Sequence, residues 1–308
     1  MTKPLVKIRD VAYPIFAAPD LKKMQSFLED FGMAHAHSDS DTLFMRGLGE
    51  VPVVHKTVRG EPAFVGLAVQ VASREDLQTL ADHLGAQMEP NTGPGGGEVV
   101  VFQDPDGRRI EALFGFFKAK PLPTPDRVPD NIAHARSRLG LVKRVVPGAA
   151  SVMRFGHAAL KSPHMARAVE WYKQMFGMLE SDSFYVGEEQ NVAGIFMRCD
   201  LGPNHTDHHT ILIQAAPVAG LGHCGWEVFD LDDIMLGHDH LRARGFEPYW
   251  GVGRHVLGSQ VFDYWRDPWG NVVEHWTDGD LLDADTPAGR HPIERILGQW
   301  GPMPPADF

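Results

Sequence analysis

The stretch GVGRHVLGSQVFDYWRDPWGNVVEHWTDGD, Gly251 to Asp280, decides how this chain is read. Val261–Trp265 and Val272–Trp276 are rich in β-branched and aromatic residues. Asp267-Pro268-Trp269-Gly270 between them has the composition of a tight turn, so the spacing predicts two antiparallel strands. Tyr264 and Glu274 then lie on adjacent strands whose side chains can converge, with His255 a few residues upstream. One carboxylate does not hold a transition metal, so any partners come from elsewhere in the chain.

The hairpin has a twin. FQDPDGRRIEALF (102–114) matches YWRDPWGNVVEHW (264–276), and the likeness extends backwards from there. PDLKKMQSFLEDFGM (19–33) is echoed by SPHMARAVEWYKQMFGM (162–178), GLAVQVASREDL (66–77) by HCGWEVFDLDDI (223–234), and ADHLGA (81–86) by HDHLRA (238–243). Apolar residues at helical spacing mark helices at Leu21, Met24, Leu28 and Phe31, over Arg74 to Leu84, and from Met165 to Phe176; glycines stop the first and the third. Strand-like runs surround each. Four units of one strand, one helix and further strands, in two pairs, form an internal repeat. The expected fold is α+β, four βαβββ modules paired into two homologous domains. The proline-rich KAKPLPTPDRVPDN (118–131) suits a stiff connection, and the domains are placed at 1–135 and 136–308. The tail after Asp280 has no clear period and is expected to pack on the surface or over a cavity mouth.

Composition limits the function. The chain has 308 residues, 43% of them hydrophobic, and a formal net charge of -11, with no basic run. These features point away from nucleic-acid and anionic-membrane surfaces. No apolar run reaches transmembrane length and the N-terminus lacks a signal-like apolar core, so a cytoplasmic location is expected. Two cysteines, Cys199 and Cys224, are too few for a disulfide framework and read as small buried residues.

Aligning the halves separates fold from chemistry. His157 in FGHAAL stands against Tyr13, His223 in GHCGWEV against Gly66, and Glu274 against Glu111. Only the second half has two histidines and a glutamate at the three matching places. Two neutral imidazoles and one carboxylate form the facial triad of non-haem Fe(II) oxygenases, which leaves positions open for substrate and O2.

These residues carry a family resemblance. GRH-x8-Y-x9-E, spanning His255, Tyr264 and Glu274, together with FGHAAL, DHHTILIQ and GHCGWEV, resembles the type I extradiol ring-cleaving dioxygenases of the vicinal oxygen chelate superfamily, such as the 2,3-dihydroxybiphenyl and catechol 2,3-dioxygenases. The resemblance covers about Lys7 to Asp280. It implies open barrel-like sheets, a metal-free first domain, and a catalytic second domain with Fe(II) on His157, His223 and Glu274; Mn(II) is the other candidate ion. It implies that His209 is the acid-base histidine and that His255 and Tyr264 address the bound catecholate and oxygen. His208 is set aside because neighbours on a strand face opposite ways. The implied reaction is meta cleavage of an uncharged catechol with O2, giving a semialdehyde. Implied partners are that substrate, O2 and further copies of the chain. Asp207 stands where the biphenyl-type enzymes carry a basic residue, and GVGRHVLGS with the ending WGPMPPADF is similar to the monocyclic branch. Phe196, Trp250, Val256 and Leu257 are the pocket candidates. Two other classes share this fold type: a glyoxalase-like metal-dependent isomerase and a non-catalytic small-molecule-binding protein.

Overall fold

The computed structural model describes residues 3–306. Two large mixed sheets dominate it, one of eight strands and one of nine. Each is built from two units of strand, helix and three strands. The first sheet uses Ile8–Ala18, the helix Leu21–Asp30, then Ala34–Ser38, Thr42–Arg46 and His55–Arg59; its second unit is Ala63–Val71, the helix Arg74–Leu84, then Met88–Pro90, Glu98–Gln103 and Arg109–Phe114. The second sheet repeats this with Val152–Ser162, the helix Met165–Phe176, Leu179–Tyr185, Val192–Arg198 and Ile211–Ala215, followed by Gly220–Val228, the helix Leu231–Ala243, Gly251–Arg254, Val261–Arg266 and Val272–Thr277. In every unit the first strand pairs in parallel with the last, and the two first strands of a sheet pair antiparallel at its centre. The four-module repeat expected from the sequence is the architecture of the chain.

The helices start and stop where their residues require. The carboxylate of Asp20 accepts from the backbone N–H groups of Lys22 and Lys23, capping the first helix. Gly177 ends the third with φ of 68°, a left-handed conformation that a glycine adopts without strain. The apolar faces, Leu21, Met24, Phe27 and Leu28 on one helix and Ala168, Val169, Tyr172 and Phe176 on its counterpart, are buried against the sheets.

The two sheets also contact one another behind the second. Trp226 Nε1 donates to the Val54 carbonyl at 2.8 Å, and His275 Nε2 donates to the Phe31 carbonyl at 2.7 Å. His275 and Trp226 thus anchor the outer face of strands whose other face carries Glu274 and His223. The ninth strand, Gly289–Pro292, comes from the tail and pairs in parallel with Leu179–Tyr185. Both cysteines are buried and unpaired. No helix among the described residues is long and apolar enough to cross a membrane.

Candidate metal centre and substrate cavity

Three adjacent strands assemble the cluster. Gly225 is in register with His157 on one neighbour and with Glu274 on the other. Paired residues project to the same face of a pleated sheet, so His157 and Glu274 lean toward one another across the glycine. His223, two residues before Gly225 on the same strand, points to that face as well. Nε2 of His157 is 3.1 Å from Nε2 of His223 and 2.8 Å from Oε2 of Glu274. Nε2 of His223 is 3.5 Å from the same oxygen. Among the described residues, this is the one group of three or more His, Cys, Asp or Glu side chains placed to share a metal ion, and all three members are buried.

The residues fit a metal. A β-carbon on Gly225 would lie 2.6 Å from Nε2 of His157 and 2.7 Å from Oε2 of Glu274, so the glycine's missing side chain keeps the space between the ligands open. Burial pushes His223 down to about 3, against the opposing pull of Glu274, so its nitrogen is a neutral donor at pH 7. Burial works to raise the Glu274 carboxyl, but the facing His157, His255 and His223 hold it well below the usual carboxylate range. The set is therefore two imidazole nitrogens and one carboxylate anion, a donor combination suited to a divalent transition metal with open positions.

The matching place in the first sheet shows the alternative outcome. Tyr13, Ala68 and Glu111 are in register there as His157, Gly225 and Glu274 are in the second. Tyr13 Oη donates to Oε2 of Glu111 at 2.8 Å, while Lys56 Nζ and Arg109 Nε donate to Oε1 at 2.8 and 2.7 Å. Protein cations neutralise this carboxylate. Lys56 lies opposite Ile15 in the ladder; Leu212, opposite Ala159, holds the corresponding place in the second sheet.

Above the cluster, Tyr264 is the direct cross-strand partner of Glu274. His255, in the loop after Gly251–Arg254, brings Nε2 within 2.9 Å of Tyr264 Oη and 3.6 Å of Glu274 Oε1. Burial and the Glu274 charge push the Tyr264 phenol well above its ordinary value, keeping it a neutral hydroxyl. The Trp250 ring stacks on Tyr264 at 5.3 Å, and its Nε1 donates to the Pro302 carbonyl, tying the tail to the site. His209 is buried with its ring centroid 4.4 Å from that of His157. Burial and the surrounding histidines hold it well below its ordinary value, so it is a neutral imidazole.

All of these groups except Glu274 line one cavity of about 200 Å³. Phe196, Trp250 and Leu257 line it as expected from the sequence. Val256 does not: with His255 and Leu257 turned inward, the residue between them is turned out and half-buried. His208 also lies outside the lining, although not for strand alternation. Residues 208 and 209 precede the strand Ile211–Ala215, and their rings meet at 5.3 Å. Asp207 is turned away from the cavity and pairs with Arg154 at 2.7 Å.

Sequence reasoning missed Phe184, Gln214, Gln260 and the tail residues Ile293, Ile296 and Leu297. The tail's apolar i, i+3, i+4 spacing was a usable signal. Gln260 is buried with its Oε1 unpartnered. A wider polar cleft of about 440 Å³, with Lys161, Arg266 and Asn271 in its wall, touches His223 but not His157, His209 or Tyr264. The smaller cavity is therefore the one that gathers the candidate site residues.

Comparison with known proteins agrees with this geometry. Residues 154–275 match the Glyoxalase/Bleomycin resistance protein/Dioxygenase superfamily. Over 321 aligned residues the chain is 27% identical to metapyrocatechase 2 of Cupriavidus necator, covering 99% of this chain and 93% of that one. It is 24% identical to the manganese-dependent 2,3-dihydroxybiphenyl 1,2-dioxygenase of Geobacillus genomosp. 3, covering 98% and 96%. Among solved structures, the Mn(II)-bound glyoxalase from Novosphingobium aromaticivorans superimposes with a TM-score of 0.76 at 24% identity, covering 96% and 91%.

Proposed function

We propose that this chain, whose residues 154–275 match the Glyoxalase/Bleomycin resistance protein/Dioxygenase superfamily, is an extradiol dioxygenase that opens a catechol ring with O2. The observation that carries the reading is the set of His209, His255 and Tyr264 arranged around one complete His157–His223–Glu274 cluster in one cavity. An isomerase acting on a metal-bound oxygen needs the metal and one base, which leaves two of these three groups without a use. The likeness to metapyrocatechase 2 along nearly the whole chain supports the same choice.

His157, His223 and Glu274 hold the ion, Fe(II) by the preference of this donor set, with Mn(II) the second candidate. A bound Fe(II) would supply Lewis acidity toward the catechol and a route for electron density from the ring to O2. The protein side is handled by the remaining groups. His209, a buried neutral imidazole, takes a hydroxyl proton from the catechol as it binds and later returns it to oxygen. Tyr264 keeps its proton and offers its hydroxyl to a substrate oxygen, positioned by His255. Phe184, Phe196, Leu212, Ile293 and Ile296 exclude water and favour an uncharged ring. The volume, about 200 Å³, lies below the roughly 300–1,000 Å³ of pockets for drug-sized ligands and favours a monocyclic catechol. The reading takes residues 1–135 as a metal-free domain, 136–308 as the catalytic one, and the working form as a homo-oligomer.

The test is oxygen uptake by anaerobically Fe(II)-reconstituted protein on a panel of mono- and bicyclic catechols. The expected result is one O2 consumed per ring and a yellow product, with monocyclic substrates preferred by kcat/KM. No uptake on any catechol would sink the reading.

A further inference from the structure

Behind His209, away from the cavity, lies a chain of groups that the proposed chemistry has not used. Nδ1 of His209 is 3.1 Å from Nδ1 of His208, and Nε2 of His208 is 2.7 Å from Oδ2 of Asp182. The other oxygen of Asp182 is 3.1 Å from Nε2 of His291, whose side chain is 39% exposed. An unbroken line of hydrogen-bonding atoms thus runs from the cavity to solvent. We infer that His208 and Asp182 are positioning residues that fix the tautomer of His209 and take up its displaced proton on His208, with His291 holding the outer side of Asp182. The inference rests on His209 being the acid-base group of the proposed reaction.

The direction of each hydrogen bond follows from what each group can do. Burial works to raise the Asp182 carboxyl, but its bonds from His208 and His291 hold it below the usual range, so it is an anion at neutral pH and can only accept. Nε2 of His208 must therefore carry hydrogen. In the proposed relay the resting His208 leaves its Nδ1 bare, and two facing Nδ1 atoms bond only if one of them is protonated. His209 supplies that proton, which leaves its Nε2 bare. The ring of His209 lines the cavity, so the relay presents a lone pair there as a ready base. The logic is that of an aspartate orienting a catalytic histidine, extended by one imidazole.

The proton count closes. When Nε2 of His209 takes a hydroxyl proton from the catechol, its Nδ1 proton passes to Nδ1 of His208. His209 is again neutral, now with hydrogen on Nε2 to return, and His208 is the imidazolium beside the Asp182 carboxylate. No other bond changes. The fold builds the outer end deliberately: Gly289 is in register with Asp182, and a β-carbon there would lie 2.3 Å from Oδ1 of Asp182 and 2.5 Å from Nε2 of His291. The tail strand that carries Gly289 and His291 is the strand the second sheet adds over the first.

Two measurements test it. In the Fe(II)-loaded enzyme, Asp182→Asn and His208→Gln are expected to lower kcat by about tenfold or more, with iron content and catechol KM unchanged and a larger solvent deuterium effect on kcat. In a His209→Gln background, His208→Gln is expected to cause no further loss. Losses that multiply, or that trace to lost iron or a raised catechol KM, overturn the relay. Independently of activity, two-bond 1H–15N spectra of the metal-free wild-type protein should show His209 protonated at Nδ1 and bare at Nε2; the opposite tautomer overturns the relay. A wild-type enzyme inactive on every catechol would defeat the dioxygenase reading, whereas the spectra would still decide the tautomer.

Discussion

Glu274 and Glu111 occupy the same register place in two equivalent sheets, yet Glu274 faces three imidazoles and Glu111 faces a lysine, an arginine and a tyrosine hydroxyl. A buried carboxylate needs a positive partner. In the second sheet the proposed partner is a metal ion held by the cluster; in the first it is Lys56 and Arg109.

That difference separates the two glutamates experimentally. Glu274→Gln is expected to abolish metal retention, measured by metal analysis after desalting. Glu111→Gln should leave metal content and turnover intact but destabilise the fold by about 1–3 kcal/mol, because it strands hydrogen-bond donors, read as a lower denaturant midpoint.

The Glu111 contribution also has a pH signature. Burial raises its carboxyl, but Lys56 and its other partners outweigh that and hold it below the ordinary 4.5. A depressed folded-state value stabilises the fold above the unfolded-state value and loses that effect as pH falls through the folded one. The gap in stability between wild type and Glu111→Gln should therefore be full above about pH 4.5 and shrink at lower pH, in denaturant titrations across the acid range.

Gly225→Ala tests the space between the ligands. The first sheet carries Ala68 at the equivalent place, so the backbone accepts alanine there. The added methyl would meet His157 and Glu274. Metal affinity should fall by about 10–100-fold, the scale of losses on disturbing a ligand's support, while the thermal midpoint of the metal-free protein changes little.

His209→Ala and His223→Ala should divide binding from proton transfer. His223→Ala is expected to lose iron. His209→Ala should retain it and lower kcat by about 10²-fold or more, with catechol still producing its metal-dependent spectral change.

Tyr264→Phe removes one hydroxyl that meets His255 at 2.9 Å. The expected outcome is retained iron with kcat reduced more than catechol KM is raised, in steady-state oxygen uptake.

Much of this protein was legible in its residues. The repeat showed four modules because equivalent strands need equivalent apolar faces, turns and caps, and those are local: Asp20 caps the first helix and Gly177 ends the third, each by a short-range interaction. The paired turns DPDG and DPWG placed Glu111 and Glu274 in equivalent strands, and the histidines that only the second half carries marked the residues that cluster with Glu274. What tertiary structure alone decided was which side chains meet across long separations in sequence. Asp182 and His291 lie in segments with no shared pattern, and only the parallel pairing of a tail strand brings them to one another. His208 was set aside by an alternation rule that holds within strands, but the chain bends before Ile211 and turns both rings toward each other. Lys56 carried no sign of its role because an ammonium finds a carboxylate 55 residues away only once the sheet has set their register. Local chemistry fixes elements and their repeats; convergence of distant polar groups is a property of packing.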